Sequence, residues 1–187
     1  MFQLLVGLGN PGPAYDKTRH NVGFWFVDRV ASCHDCTWKE EPRFRAWVTT
    51  IRTEGEVRLM KPLTYMNRSG IAVAAMAAYY KIPPENLLVA HDDLDFEPGL
   101  VRLKRGGGHG GHNGLRDIVT HLGTGGFARL RFGIGRPPRA MAAADYVLAP
   151  PPSPEREAIM GAIERVMECL PELLQGKLES VMNRLHV

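Results

Sequence analysis

The side chains best able to do acid–base chemistry lie in the segment HDDLD, residues 91–95. The apolar run NLLVA precedes this segment and predicts a short buried strand whose carboxyl end delivers it. Sheets of α/β proteins place their sites at such strand ends. The aspartates could bind Mg²⁺, form a turn, or orient a histidine through one carboxylate. Because no serine lies in a G-x-S-x-G nucleophile elbow, any hydrolysis would use water directly, with a histidine as the base.

A glycine-rich loop, GGGHGGHNG at residues 106–114, is the most unusual stretch of the sequence. So many glycines cost backbone entropy on folding, and they make sense where a ligand approaches the backbone closely. Asn113 can cap the helix that follows, whose free N–H groups could then bind an anion. Lys104 and Arg105 precede the loop, and Arg129 and Arg131 lie in the next predicted strand. The alternative is a mobile surface loop.

Residues 7–12, GLGNPG, match the G-x-G-x-x-G of dinucleotide-binding folds. The fit fails because Pro13 follows and the first predicted helix starts about eight residues too late to hold a pyrophosphate. We expect these glycines instead to let the loop turn sharply and present Asn10 and, beyond it, His20.

Cys33 and Cys36 form a C-x-x-C motif, and Cys169 is the only other cysteine. Zinc would need two more ligands, and a redox motif would open a helix, whereas this one ends a predicted helix. We interpret both cysteines as incidental.

The composition is that of a globular protein: 187 residues, of which 44% are hydrophobic and 23% charged. No apolar run approaches the ~20 residues that span a bilayer, and the N-terminus lacks the basic segment of a secretory signal. We therefore expect a soluble, cytoplasmic protein without a membrane partner. The net charge of +3 conceals residues 99–139, which carry eight basic side chains and one acid. This excess predicts a polyanionic partner, or alternatively a solvated basic face.

Short apolar runs predict strands, and apolar residues at helical spacing predict helices between them. The predicted strands are residues 2–8, 46–51, 57–60, 86–90, 100–104, 129–134 and 146–148. The predicted helices are residues 21–31, 115–122, one from its N-cap Ser69 to about Lys81, one from its N-cap Ser153, and a last one beyond Pro171. This alternation predicts an α/β single-domain sandwich, residues 1–187, with a central twisted β-sheet flanked by helices. The hairpin near Gly55 predicts that the sheet is mixed.

Five segments together resemble the bacterial-type peptidyl-tRNA hydrolase family. They are GLGNPGPAYDKTRHNVGF, KPLTYMNRSG, HDDLD, LKRGGGHGGHNGLRDI and RLRFGIGRP. They stand in the family's order and spacing, and the resemblance extends from Phe2 to the closing NRLH. It implies a monomeric α/β protein that needs no metal or organic cofactor. The implied activity is hydrolysis of the ester joining a peptide to the 3′-terminal ribose of tRNA, which recycles peptidyl-tRNA released prematurely from ribosomes.

The resemblance also implies roles for single residues. The family's catalytic base falls on His20, its orienting carboxylate on Asp92, and the asparagine that distinguishes blocked from free aminoacyl groups on Asn10. Asp92 would accept a hydrogen bond from one ring nitrogen of His20 and stabilise the imidazolium that forms. The amides of Asn10 and two further asparagines could donate to the ester oxygens as charge develops, and could accept from peptide N–H groups.

Contacts with the substrate are implied at a second set of residues. The 3′ CCA end and the peptide would contact Tyr15, Tyr65, Asn67 and Asn113, with His112 beside the site. Tyr65 stands where many members have phenylalanine, and it would keep the stacking surface. Lys104, Arg129 and Arg131 would bind acceptor-stem phosphates.

Two other functional classes stay open at this point. A non-catalytic RNA-binding module would need only the basic segment, but it would leave the histidine, the aspartate and the loop asparagines without a purpose. A nucleotide-cofactor oxidoreductase would need the dinucleotide-binding geometry that Pro13 opposes.

Overall fold

The computed structural model describes residues 1–186, and within them the chain forms one mixed β-sheet. The strands are β1 (Leu4–Gly7), β2 (Lys39–Glu41), β3 (Ala46–Arg52), β4 (Glu56–Pro62), β5 (Leu87–Asp93), β6 (Val101–Arg105) and β7 (Ala128–Gly133). Across the sheet they run in the order β2-β3-β4-β1-β5-β7-β6.

The centre of the sheet is parallel and its edges are antiparallel. β1 lies between β4 and β5 and is parallel to both, and β5 is parallel to β7. β2 pairs with β3, β3 with β4, and β6 with β7 in antiparallel register. All four residues of β1 are buried, as expected of an apolar strand covered on both faces. The predicted mixed sheet is confirmed, including the hairpin of β3 and β4.

Helices cover both faces of the sheet. They are α1 (Val22–Cys33), α2 (Ser69–Tyr79), α3 (Asn113–Leu122), α4 (Ala143–Val147), α5 (Ser153–Glu168), α6 (Leu170–Leu174) and α7 (Leu178–Leu185). Leu88 of β5 packs in a core with α1 and α5, whereas its neighbour Val89 packs in a second core with α2 and α3. Alternate residues of one strand therefore face opposite layers, as the pleat of a strand requires. Within residues 1–186, no helix combines the length and the apolar character that crossing a membrane requires.

Gly7 explains part of the G-x-G-x-x-G match. A Cβ atom at Gly7 would lie 2.2 Å from the carbonyl oxygen of Gly23 in α1, so strand and helix pack closer than any other residue allows. We expected the glycines to serve a turn, but of the three only Gly12 has a positive φ, +103°. Because α1 begins only at Val22, residues 7–12 do not open a helix, as predicted.

One predicted strand is wrong, and one observed strand was not predicted. Residues 146–148 were expected to form a strand, but Tyr146 belongs to α4, where the preceding alanines favour a helix. Its hydroxyl donates to the carbonyl of Ile134 at 2.6 Å, which ties α4 to the end of β7. β2 was not predicted, because its residues KEE are polar and lie at the sheet edge, where pairing with β3 leaves no apolar pattern.

The helix starts differ from the predicted caps by one residue. Arg68, not Ser69, is the N-cap of α2, and the Ser69 hydroxyl donates to the carbonyl of Met66 at 2.8 Å. His112, not Asn113, caps α3, because its ring nitrogen Nδ1 accepts from the backbone N–H of Leu115 at 3.3 Å. Ser153 is likewise the first residue of α5. Beyond it, α6 separates α5 from α7, where the sequence predicted a single break at Pro171.

Candidate active site

Three polar side chains form a buried chain of hydrogen bonds at the end of β5. His20 Nδ1 lies 2.9 Å and 3.0 Å from the two carboxylate oxygens of Asp92. His112 Nε2 lies 2.9 Å from Asp92 Oδ1, the nearer of these oxygens. Asp92 is 2% exposed and His20 is 9% exposed. One carboxylate therefore holds two histidine rings, whose centroids are 5.1 Å apart.

The protonation states follow from these contacts. Burial would raise the pKa of Asp92, but the neighbouring His20 and His112 hold it well below its usual range, so the carboxylate is charged. Burial also opposes protonation of His20, yet the charge of Asp92 and its hydrogen bond raise the pKa of His20 above the ordinary value. With Nδ1–H donating to Asp92, the Nε2 lone pair of His20 is left free to accept a proton. This is the arrangement of a general base with an orienting carboxylate.

His112 has a fixed tautomer. Its Nδ1 accepts from the N–H of Leu115 at the start of α3, so the ring proton is on Nε2, which donates to Asp92. His91 is fixed as well: its Nδ1 donates to the carbonyl of Asp92 at 2.7 Å, and burial together with His112 lowers its pKa to about 3. His91 is therefore neutral near pH 7.

Asn10 is held by two neighbours. Its backbone N–H donates to Asn21 Oδ1 at 2.8 Å, and Asn21 Nδ2 donates back to its carbonyl at 2.9 Å. The side-chain oxygen of Asn10 accepts from the N–H of Met66 at 2.7 Å. The sequence predicted that this oxygen accepts from the substrate, but it already accepts from Met66, and the amide NH₂ is the group without a protein partner in the described residues.

The exposed Tyr65 and the half-buried Tyr15 form an aromatic pair beside Asn10. Their ring centroids are 6.2 Å apart in an edge-on arrangement, and Tyr65 is 53% exposed. Tyr65 has a positive φ of 60°, which directs the next backbone N–H, that of Met66, at Asn10. Asn67 follows on the same turn and is exposed.

A cavity of about 630 Å³ joins the histidine chain to the basic residues. Of the predicted site residues, it is lined by His20, Asp92, His112, Asn113, Lys104 and Arg131. Asn10, Tyr15, Tyr65 and Asn67 do not line it. They lie next to it, because Met66, the neighbour of Tyr65 and Asn67, packs against Gly114 beside the cavity wall. A Cβ atom at Gly114 would be 2.6 Å from the Met66 sulfur.

The basic residues differ in their availability. Lys104 is exposed, and Arg131, which also lines the cavity, uses its Nε to bind Asp93 at 2.8 Å. Arg129, which we expected to bind phosphate, is 3% exposed and donates to backbone carbonyls. Arg105 donates to the carbonyl of Glu85.

The aspartates of HDDLD are each taken by a cation or a histidine. Asp92 binds the histidines, Asp93 binds Arg131, and Asp95 binds Arg136. This pairing argues against the Mg²⁺ interpretation. His20, Asp92 and His112 lie close enough together to ligate one metal ion. However, ligation by His112 Nε2 would move its ring proton to Nδ1, against the N–H of Leu115. The donor set therefore fits proton transfer better than metal binding.

Asn21 was not among the predicted site residues, and Arg129, which was expected to bind phosphate, donates to backbone carbonyls. Both act through the backbone of another segment, and nothing in the composition of a segment marks such a contact. The position of Asn21 directly after the histidine in TRHN was the only available signal.

Comparison with known proteins agrees with the geometry. Residues 4–187 match the family model described as peptidyl-tRNA hydrolase. A peptidyl-tRNA hydrolase of Methylococcus capsulatus is 65% identical over 187 residues, covering 100% of both chains. One of Coxiella burnetii is 49% identical, covering 98% of this chain and 97% of the relative. The crystal structure of peptidyl-tRNA hydrolase from Acinetobacter baumannii superposes with a TM-score of 0.94 at 48% identity, covering 98% of this chain and 94% of that one. The chain therefore belongs to the peptidyl-tRNA hydrolase family.

Proposed function

We propose that this chain hydrolyses the ester between a peptide, or an N-blocked amino acid, and the 3′-terminal ribose of tRNA. It is an enzyme, a carboxylic ester hydrolase, and it recycles peptidyl-tRNA that ribosomes release prematurely. The family match and the 65% identical relative support the activity. The observation that carries the mechanism is the hydrogen bond from His20 Nδ1 to the buried Asp92, at the wall of the cavity.

The reaction begins with a water molecule at the free Nε2 of His20. His20 takes a proton from this water as the oxygen attacks the ester carbonyl, and Asp92 stabilises the imidazolium. Amide NH₂ groups of Asn10, Asn67 and Asn113 stabilise the negative charge that develops on the carbonyl oxygen. The tetrahedral intermediate then collapses, and His20 returns its proton to the departing ribose oxygen.

The substrate spans two regions of the surface. Tyr15 and Tyr65 stack against the 3′ CCA end, and the exposure of Tyr65 together with its pairing to Tyr15 supports this role. Lys104 and Arg131 bind phosphates of the acceptor stem, since both line the cavity with cationic groups. Residues 1–187 act as one domain and as a monomer, and the site of action is the cytoplasm, where ribosomes release the substrate.

The test is release of an N-acetylated amino acid from tRNA by the purified protein, with and without EDTA. We expect hydrolysis that EDTA does not abolish, and a loss of ~10²–10⁴-fold in His20→Ala, the usual contribution of a positioned general base. His34→Ala, which changes a histidine away from the cavity, is the matched control. Wild-type turnover in His20→Ala would show that another group is the base.

A further inference from the structure

A buried arginine without an acidic partner lies beneath the glycine-rich loop. The Arg129 guanidinium donates to the carbonyl oxygens of Gly108, of Gly107 at 2.7 Å, and of Gly125 at 3.2 Å. Its carbon lies 4.6 Å from the centroid of the Phe127 ring. Within residues 1–186, no carboxylate forms an ion pair with it, so backbone dipoles and an aromatic face provide the compensation that a buried charge requires.

The carbonyls that Arg129 binds belong to a loop with little other support. Four of its glycines have positive φ, including Gly107 at +106°, and such a backbone has many alternative conformations. A backbone hydrogen bond anchors the start of the loop, where the N–H of Gly106 donates to the carbonyl of Phe127. The bonds of Arg129 therefore fix the middle of the loop at both Gly107 and Gly108.

The same loop ends at the hydrogen-bonded group of His20, Asp92 and His112. His112 closes the loop and donates to Asp92 Oδ1, the oxygen that also accepts from His20, and Asn113 follows at the cavity wall. A displacement of the loop would remove the bond from His112 and leave Asp92 to His20 alone. The charge of Asp92 would then act more strongly on the imidazolium.

We propose that Arg129 is a positioning residue for catalysis, which holds residues 106–112 so that His112 stays bonded to Asp92. The inference rests on the proposed roles of His20, Asp92 and His112. Arginine is required because one planar guanidinium reaches three carbonyls, those of Gly107 and Gly108 in the glycine-rich loop and that of Gly125 before β7. A lysine ammonium is a compact charge that cannot span them.

Arg129→Lys tests this directly, since it keeps the charge and removes the fork. We expect kcat on N-acetyl-aminoacyl-tRNA to fall by about tenfold with a smaller change in KM. The reason is that the variant disturbs the hydrogen bonds among His20, Asp92 and His112, which act in the chemical step, more than it disturbs substrate binding. We also expect the acid limb of the pH profile of kcat to move to higher pH, as His20 becomes the sole donor to Asp92. A purely structural role would lower the melting temperature and leave this limb in place.

Other charged groups near His20 remain in the variant. His91, Asp93, Asp95, Lys104, Arg131 and Arg136 also line the cavity, and they keep their own strands and partners. His109 and His112 are the titratable groups that move with the loop. Arg102→Lys is the matched control, because Arg102 on β6 also donates to backbone carbonyls but binds Leu185, away from the cavity. Its acid limb should stay at the wild-type pH.

A second variant covers the case in which Arg129→Lys does not fold. A Cβ atom at Gly125 would lie 2.7 Å from the Gly107 carbonyl oxygen and 3.2 Å from Arg129 Nη2, so Gly125→Ala wedges the loop away without removing charge. It should move the acid limb in the same direction. An unmoved acid limb in both folded variants would overturn the proposal. Absence of activity in the wild type, or full activity in His20→Ala, would instead refute the proposed function.

Discussion

Asp92 binds two histidines, and the two bonds have different consequences. The proton on His112 Nε2 is fixed by the helix N–H that occupies its other nitrogen, so this ring serves Asp92 as a hydrogen-bond donor. His20 has a free Nε2 and a pKa raised by Asp92 after burial is overcome. By sharing the carboxylate, His112 limits how far Asp92 can raise the pKa of His20.

Asn10→Asp should reduce the preference for blocked substrates. A peptidyl group presents a neutral amide, whereas a free aminoacyl group presents an ammonium that loses hydration in the cleft without gaining a carboxylate. Because one carboxylate oxygen can still accept from Met66, the variant keeps the local fold and places a negative charge where the NH₂ was. We expect the ratio of kcat/KM for acetyl-aminoacyl-tRNA over aminoacyl-tRNA to narrow by about tenfold, equivalent to about 1.4 kcal/mol.

Asn67→Asp and Asn113→Asp are the matched controls, since they introduce the same charge on the neighbouring turn and loop. Their ratios should change less, because within residues 1–186 neither side chain is held by a backbone N–H and a neighbouring asparagine in the way that Asn10 is. If the ratio is unchanged in Asn10→Asp and narrows in one of the controls, the selecting residue is that asparagine.

At the scale of elements, β6, β7 and the loop between them create the basic wall of the cavity. The antiparallel register sets Lys104 opposite Arg129, and Arg102 opposite Arg131. Only some of these cations reach solvent. Arg129 is buried and donates to backbone carbonyls, whereas Lys104 is exposed at the cavity wall. The strong basic excess of residues 99–139 therefore overstates the number of phosphates that this segment can bind.

Lys104→Ala should weaken binding of full-length tRNA substrates and reduce the slope of log K against log salt by about one, the effect of one lost phosphate contact. A short substrate without the acceptor stem should bind as before. Arg105→Ala is the control, because Arg105 is next to Lys104 in sequence, but its guanidinium donates to the carbonyl of Glu85 and it does not line the cavity. Equal losses on both substrates would contradict a phosphate role for Lys104.

The elements that burial determines were predictable, and those that tertiary contacts determine were not. β1 and the LLVA part of β5 are apolar on both faces, so the apolar runs in the sequence predicted both strands. The edge strand β2 and the helix α4 carry no such pattern, and α4 depends on Tyr146 reaching Ile134. The catalytic candidates could be named from motifs, but the sequence could not reveal that Met66 occupies the oxygen of Asn10 or that carbonyls occupy Arg129.

At the scale of the whole molecule, the site is built where two cores meet along one sheet. Asp92 emerges on the face of α1 and His91 on the face of α2 and α3, as neighbouring residues of a strand must. The end of β5 thus buries two polar side chains in succession, each 2% exposed. Burying polar side chains in this way lowers the stability of the fold. His91 contributes to this loss, because its buried Nε2 has no hydrogen-bond partner in the described residues.

His91 should make the protein acid-sensitive well above the range in which carboxylates titrate. The unfolded chain protonates this histidine below about pH 6.5, whereas burial and His112 hold the pKa in the folded protein at about 3. Between these values the unfolded state binds the additional proton, so the free energy of unfolding falls as the pH falls. The expected loss from His91 is about 3 kcal/mol between pH 7 and pH 4.5.

Urea unfolding at these two pH values measures the effect, and His91→Gln should remove most of it, because the amide does not titrate. The other two groups of the site contribute little slope in this window. The stabilisation from the raised pKa of His20 is already complete below pH 6.5, and that from the depressed pKa of Asp92 is lost only near and below its unfolded value. His121→Gln, at an exposed histidine of α3, is the control and should keep the wild-type difference between pH 7 and pH 4.5. A wild-type difference in His91→Gln would assign the acid sensitivity to another buried group.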